Sequence, residues 1–365
     1  MTASPAWEAW SELSTRLPAD LDLDKLAFET GAITRLRPDG ISEGQTLLRL
    51  CLARGPGGNS LQDTAAWARM NGVVELRAQS INERLHGSVG FFAAITNRLL
   101  AARPAARPSI WSGRCLRIAD SSSLSQPGSK GTDWRLHAVY DLGRGGFSFV
   151  ELTDRKGAES LLRGAPVPGE VLVADRGYAK AKALRACLDR LGPQARDVIV
   201  RAGWRALVLR NADGTAFDLI AQMGTLTPTS PIQEHAVKVL AGADNPIPMR
   251  LIIVPLPADK AAIARKKLKR RASKHQDKFD PRSLVAAGFM VLVTSLPDDI
   301  PAAEICAVYR LRWQVELAFK RLKTLQRIDQ LPTSTTAGSL SWLYGHLILL
   351  LLTENICQDF LESSP

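Results

Sequence analysis

Residues 171–175 read VLVAD, four apolar positions with no helical period, closed by a carboxylate. So short and uniformly apolar a run is the pattern of a strand buried on both faces. Residues 115–120, CLRIAD, repeat the arrangement. Two buried strands that each lead into Asp predict an α/β sheet carrying Asp120 and Asp175 on one rim, where ligands of open α/β sheets collect. Asp also ends many strands simply as a turn or cap residue, so the pair needs a third element before it means chemistry.

Around these two strands the pattern stays β-rich. Residues 137–142 (HAVYDL) and 147–152 (FSFVEL) flank Gly143-Arg144-Gly145-Gly146 and predict a hairpin. A crossover leads to 171–174, and 178–191 is helical by spacing. Between 198 and 254 the segments VIVRA, ALVLR, AFDLIA and MRLIIV read as strands of a β-rich insertion. Residues 265–278 (RKKLKRRASKHQDK) form a dense basic run, which is either a phosphate-tracking segment or a solvated linker. Residues 289–294 (FMVLVT) are one more strand, and Pro301 opens a long helix to about residue 327.

That helix supplies the third element. At about 100° per residue, with Tyr309 at zero, Arg312, Glu316, Lys320 and Lys323 all fall within about 60° of it. Leu311, Val315, Ala318, Leu322 and Leu325 fall on the opposite side and predict a packed face. The bland reading of the polar face is a solvated one, with Glu316 paired to Arg312 and Lys320 at i±4 for a few tenths of a kcal/mol. The chemical reading makes Glu316 a third acid beside Asp120 and Asp175. Hard oxygen donors without His or Cys suit Mg²⁺ or Mn²⁺ rather than zinc, and the surrounding cations suit phosphates.

Composition agrees. The 365 residues are 45% hydrophobic and 23% charged, enough for a sizeable core. Lys and Arg number 47 against 36 acids, a net charge of +11, which points to nucleic acid first and an anionic membrane surface second. The five cysteines are dispersed and read as buried free thiols of a reducing compartment. The N-terminus, MTASPAWEAW, has neither a basic nor an apolar signal region. The apolar run LILLLL at 347–352, extended to about Trp342, reads as a buried helix, too short for a membrane span. The five histidines form no spaced ligand set, Ser121 to Ser123 lack a GxSxG frame, and Lys130 lacks a Walker frame.

Residues 1–110 read as helical. Ser42-Glu43-Gly44-Gln45 is a capping-box pattern ahead of Leu47, Leu48, Leu50, Cys51 and Leu52. Gly55-Pro56-Gly57-Gly58 stops that helix, Ser60 and Asp63 start another, Asn71-Gly72 ends it, and a further helix from about Ala78 carries Ile81 and Leu85. Short helices joined by turns resemble a helix-turn-helix, though an ordinary bundle fits the helices equally well. Residues 104–109 (PAARPS) read as a linker.

Tyr309, Arg312, Glu316 and Lys323 match the Y-(2)-R-(3)-E-(6)-K signature, and the chain thereby resembles the DDE transposases of bacterial insertion sequences, the IS-four group. IADSSSL resembles that family's first-Asp strand and VADRGYAKA its second-Asp motif. The resemblance spans nearly the whole chain. It implies an RNase H-like mixed-sheet core in two parts, 111–195 and 285–365, interrupted by a β-rich insertion with its basic segment at 196–284 and preceded by a helical DNA-binding domain at 1–110. It implies Asp120, Asp175 and Glu316 as catalytic residues and metal ligands for two Mg²⁺ (or Mn²⁺) ions. Tyr309, Arg312 and Lys323 would contact DNA. With Lys320, Arg176, Lys266, Lys267, Lys269 and Arg270 they make the expected DNA-binding set. The implied partners are terminal inverted repeats and target DNA, with a homodimer in the synaptic complex, no membrane, and a cytoplasmic, nucleoid-associated location. Some members carry a tryptophan in the strand before the Glu helix to stack a flipped base. Here that strand holds only Phe289, and Trp204 is the other aromatic candidate. A transposon-derived binding protein without catalysis and an RNase H-like nuclease are the alternatives.

Overall fold

The computed structural model describes residues 10–34, 40–103, 110–111, 113–226, 231–242, 246–275 and 280–363, apart from the side chains of 275 and 355–363. The first nine residues, the 104–109 linker, the end of the basic run at 276–278 and the Cys357 thiol lie outside this description.

Helices occupy the N-terminal part: α1 (Trp10–Ser14), α2 (Leu23–Glu29), α3 (Gly44–Arg54), α4 (Leu61–Met70), α5 (Ala78–Gly87) and α6 (Val89–Ala101). The Ser60–Asp63 capping box forms at α4. The expected box at α3 does not: its N-cap is Glu43, without a side-chain cap bond, and the Gly44 amide donates instead to Asp24 Oδ1 at 2.6 Å. A tertiary acceptor has taken the place of the local one. Gly44 leaves room for this approach, because a Cβ there would fall 2.3 Å from the Leu23 carbonyl oxygen.

Among the described residues nine strands form one sheet, in the order β3-β2-β1-β4-β5-β9-β8-β7-β6. They are β1 (Cys115–Leu124), β2 (Trp134–Asp141), β3 (Gly146–Asp154), β4 (Glu170–Ala174), β5 (Asp197–Arg201), β6 (Leu209–Arg210), β7 (Gln233–Leu240), β8 (Pro246–Pro255) and β9 (Phe289–Thr294). Strands β1, β2 and β3 run antiparallel in hairpin order, whereas β1, β4 and β5 run parallel. Helix α7 (Ala181–Leu188) lies between β4 and β5 in the chain, as a parallel crossover requires. The strands of the insertion extend the same sheet through β9. Residues 216–221 (AFDLIA), expected as strand, instead keep a single bridge at Ala216 and turn into helix over their second half, as α8 (Leu219–Gly224). The reason is local: Asp218 caps the Ile220 and Ala221 amides.

The remaining helices are α9 (Ala258–His275), α10 (Arg282–Ala286), α11 (Ala302–Arg310), α12 (Trp313–Leu325) and α13 (Thr336–Ser363). One face of the sheet packs on α11, α12 and α13 through Leu116, Ile118, Val171, Val173, Val315, Phe319 and Leu343. The other carries Ala119, Leu172, Ala174, Leu184 and Val200. The 28-residue α13 is longer than LILLLL suggested, and its span Thr336–Glu354 is long and apolar enough to cross a membrane by composition alone. Two-thirds of its apolar window is buried inside the protein. Ile348, Leu349, Leu351 and Leu352 complete the core of the N-terminal helices, and Arg103 pairs with Glu354 at 2.7 Å. Cys51, Cys115, Cys187 and Cys306 are buried free thiols, as their dispersion suggested.

Candidate active site

Strand register brings the two aspartates together. Ala119 on β1 faces Ala174 on β4 in the parallel ladder, so Asp120 and Asp175 are the next residues on neighbouring strands. Asp175 is the first residue past β4, as expected, but β1 continues through Asp120 to Leu124, which places this acid inside the strand. Its continuation is explained by β2, which pairs with β1 as far as Leu124↔Trp134. Side chains alternate along a strand. Leu116 and Ile118 point into the core shared with α12, as do Val171 and Val173, so Asp120 and Asp175 fall on that same face.

The predicted helix of 301–327 is divided at Leu311 and Arg312. Here Leu311, Arg312 and Gln314 donate to carbonyls three residues back, to Val308, Tyr309 and Leu311, which tightens the turn. Arg312 keeps helical angles (φ −52°, ψ −29°), so the polar face survives the division. Tyr309 is buried, and its hydroxyl donates to Asp175 Oδ1 at 3.2 Å. Arg312 donates from Nη1 to Asp120 Oδ2 at 3.3 Å and from Nη2 to Glu316 Oε1 at 2.5 Å. Lys323 Nζ donates to the Ser123 carbonyl on β1 at 3.2 Å. Lys320 is exposed on the same helix. Opposite, Val315 and Leu322 are buried and Phe319 packs on Phe147, with ring centroids 5.7 Å apart. Leu325, placed on the packed face by its angle, is 76% exposed because α12 ends there, past the sheet.

Arg201, Glu159 and its partner Arg135, which the sequence did not single out, complete the site. Arg201, the last residue of β5, lies 3.8 Å from Asp175. Glu159, in the β3–β4 connection, accepts from Ser121 Oγ at 2.8 Å and pairs with Arg135 at 3.3 Å. Nothing local marks Glu159, an isolated acid in KGAESLL. The only trace of it is the glycine in VADRGY, since a Cβ on Gly177 would fall 1.7 Å from Glu159 Oε2.

Burial raises the Asp120 carboxyl to about 6; the Ser121 amide and Arg312 hold it down, while Glu316 and Glu159 push it up. Burial, then the Asp175 carboxylate, raises Tyr309 to about 12, so its hydroxyl stays a proton donor. Arg312 is lowered by burial but raised overall through Glu316, with Tyr309 and Asp175 adding to it.

Among the described residues no three His, Cys, Asp or Glu side chains are grouped so as to enclose a metal ion. The donor chemistry fits a hard divalent ion all the same. Asp120 and Glu316 already share one positive charge, that of Arg312, a charge that a hard cation held by these carboxylates would replace.

The expected cations separate into two places. Arg176 sits beyond Asp175 and lines a hollow of about 520 Å³ with Arg201, Lys260, Lys267, Arg271 and Trp204. Phe289 also lines it, half-buried and packed against the core. Arg205 and Arg282 stand over the Trp204 ring at 4.4 and 5.1 Å. The basic run is part of helix α9 as far as His275, not a linker. Lys260, Lys267 and Arg271 face the hollow, whereas Lys266, Lys269 and Arg270 are exposed on other sides of α9.

Comparison with known proteins completes the picture. Residues 111–352 match the family model described as Transposase DDE domain. The chain is 37% identical over 363 residues to InsL of insertion sequence element IS186A from Escherichia coli (strain K12), covering 98% of this chain and 96% of that one. It is 36% identical over 364 residues to the transposase for insertion sequence element IS421 of Escherichia coli, with the same coverage of each. Among solved structures, the piggyBac transposase synaptic complex with hairpin DNA aligns with a TM-score of 0.45 at 9% identity, over 96% of this chain and 72% of that one. With a family model spanning most of its length and relatives aligned end to end, the chain belongs to the DDE-domain transposases of bacterial insertion sequences.

Proposed function

We propose that this transposase binds the terminal inverted repeats of its insertion sequence as a homodimer, cuts at the element's ends and joins the freed 3′ ends to target DNA. The observation that supports the reading is the Arg312 guanidinium paired with both Asp120 and Glu316, with Asp175, next on the neighbouring strand, held by the Tyr309 hydroxyl three residues before Arg312. The mixed order of β1 to β5 supports an RNase H-like core, and the helices of residues 10–101 are candidates for end recognition.

Asp120, Asp175 and Glu316 would hold Mg²⁺ or Mn²⁺, two ions in all. When bound, such ions activate a water or 3′-hydroxyl and stabilise the departing oxygen of a phosphodiester. Tyr309 holds Asp175 by its hydroxyl. Arg312 pairs with Asp120 and Glu316 and is the side chain placed to exchange those carboxylates for a phosphate. Lys323, Lys320 and Arg176 add positive charge around the same rim. On α9, Lys266, Lys267, Lys269 and Arg270 extend it along the DNA backbone.

The test is nicking of an inverted-repeat duplex with and without Mg²⁺ or Mn²⁺. Asp120→Asn, Asp175→Asn and Glu316→Gln are each expected to abolish nicking while retaining end binding. Full nicking by any of the three defeats the catalytic assignment. Wild-type binding with no metal-dependent nicking favours the non-catalytic alternative, and nicking without strand transfer favours a plain nuclease.

A further inference from the structure

We propose that Glu159 is a positioning residue that braces the Asp120 strand against the Asp175 turn, and that residue 177 is glycine because the Glu159 carboxylate occupies its side-chain space. The proposal rests on the reading of Asp120 and Asp175 as catalytic carboxylates.

Three elements meet at this one side chain. Oε1 accepts from Ser121 Oγ at 2.8 Å and lies 3.3 Å from Arg135 Nη1. Oε2 lies against Gly177. The Glu159 carbonyl accepts from Lys180 Nζ at 2.7 Å. Ser121 adjoins Asp120, and its amide donates to Asp120 Oδ1 at 2.8 Å. Gly177 stands two residues after Asp175, in the 3-10 turn Arg176–Tyr178. A single carboxylate thus connects the backbones that carry both acids.

The direction of approach separates bracing from ligation. Alternation along β1 turns Ser121 to the face opposite Asp120, the face shared by Ala119, Leu161 and buried Tyr178. Glu159 therefore supports the rim from behind the sheet, while Arg312 and Glu316 approach from the α12 side. An ordinary ion pair with Arg135 accounts for neither the Ser121 bond nor the crowding at Gly177. Conformation does not account for Gly177 either, since its φ is not among the positive ones.

The full-length protein is tested by Mn²⁺ binding, followed by electron paramagnetic resonance without DNA, and by end binding and nicking with DNA. Glu159→Ala is expected to weaken Mn²⁺ binding and slow nicking by about 10-fold to 100-fold, the usual effect of losing a residue that orients metal ligands, with end affinity unchanged. Glu159→Gln keeps an acceptor for Ser121 and is expected to recover most of both losses. Gly177→Ala pushes the carboxylate off Ser121 and should match Glu159→Ala. The double variant should be no worse than Glu159→Ala, because the clash then has no partner. Wild-type Mn²⁺ binding by Glu159→Ala overturns the proposal, as does a double variant whose losses multiply. If Glu159→Ala does not fold, Gly177→Ala with unaltered Mn²⁺ binding overturns it equally. Nicking by Asp120→Asn would instead remove the catalytic reading itself, whatever Glu159 does.

Discussion

The Arg312 guanidinium donates to the Asp120 carboxylate at 3.3 Å, joining the turn before α12 to the middle of β1. The same guanidinium also holds Glu316, so one organic cation neutralises two acids proposed to share metal ions. Metal entry and Arg312 then compete. Arg312→Ala is expected to tighten Mn²⁺ binding about tenfold without DNA, because a site closed in most molecules binds more weakly by the fraction that is open. Nicking should fall at the same time, since phosphate loses its partner. Mn²⁺ titration of the purified variant checks this, and an unaltered affinity rejects competition.

The hollow beside Asp175 gives a second expectation. Lys267 and Arg271 lie one turn apart on α9 and both face it. If each meets a DNA phosphate, replacing both by Ala lowers the slope of log K against log salt by nearly 2, at about 0.9 per contact. Filter binding of an inverted-repeat duplex over a range of salt gives the slope. A slope equal to wild type removes the hollow from the DNA path.

His346 predicts an acid-sensitive fold. It is buried on α13, its Nδ1 proton donated to the Trp342 carbonyl at 2.8 Å, and burial lowers it to about 4. A folded value below the unfolded one stabilises the protein above the unfolded value, and that stability is lost as pH falls toward 4. A shift of this size corresponds to about 3 kcal/mol. Urea unfolding between pH 7 and 4 should show the loss in wild type and a flatter profile in His346→Gln. Parallel profiles would assign the acid sensitivity elsewhere.

Glu170 tests the interior. Its carboxylate is fully buried between Arg117 at 3.2 Å and Arg196 at 3.4 Å. Glu170→Gln leaves two buried guanidinium groups without their anion, and breaking such a pair costs about 3–5 kcal/mol. Chemical denaturation measures it, and a cost under about 1 kcal/mol would show that the carbonyls of Ala165 and Gly164 suffice for the arginines.

Much of the site was legible because its signals are local. The strand runs ending near Asp120 and Asp175 show as short, almost wholly apolar segments, and a helix with Tyr309, Arg312, Glu316 and Lys323 on one face follows from the 3.6-residue period. These local signals also placed Val315 and Leu322 in the core. They misplaced Leu325, because where a helix leaves its support is not a periodic property. They misread AFDLIA, where one Asp cap outweighed β-prone neighbours.

The order of types along the chain therefore determined most of the residues that share a face, most of the strand segments, and that the molecule is basic enough to seek DNA. Tertiary structure alone decided that Ala119 registers with Ala174, that the insertion's strands continue the core sheet, and that α13 closes the N-terminal helices. It alone put Arg312 between two acids and Glu159 behind the rim. The physical reason is range. Periodicity and caps act over a few residues, whereas register, ion pairs between elements and the space left by Gly177 arise only when distant backbones pack.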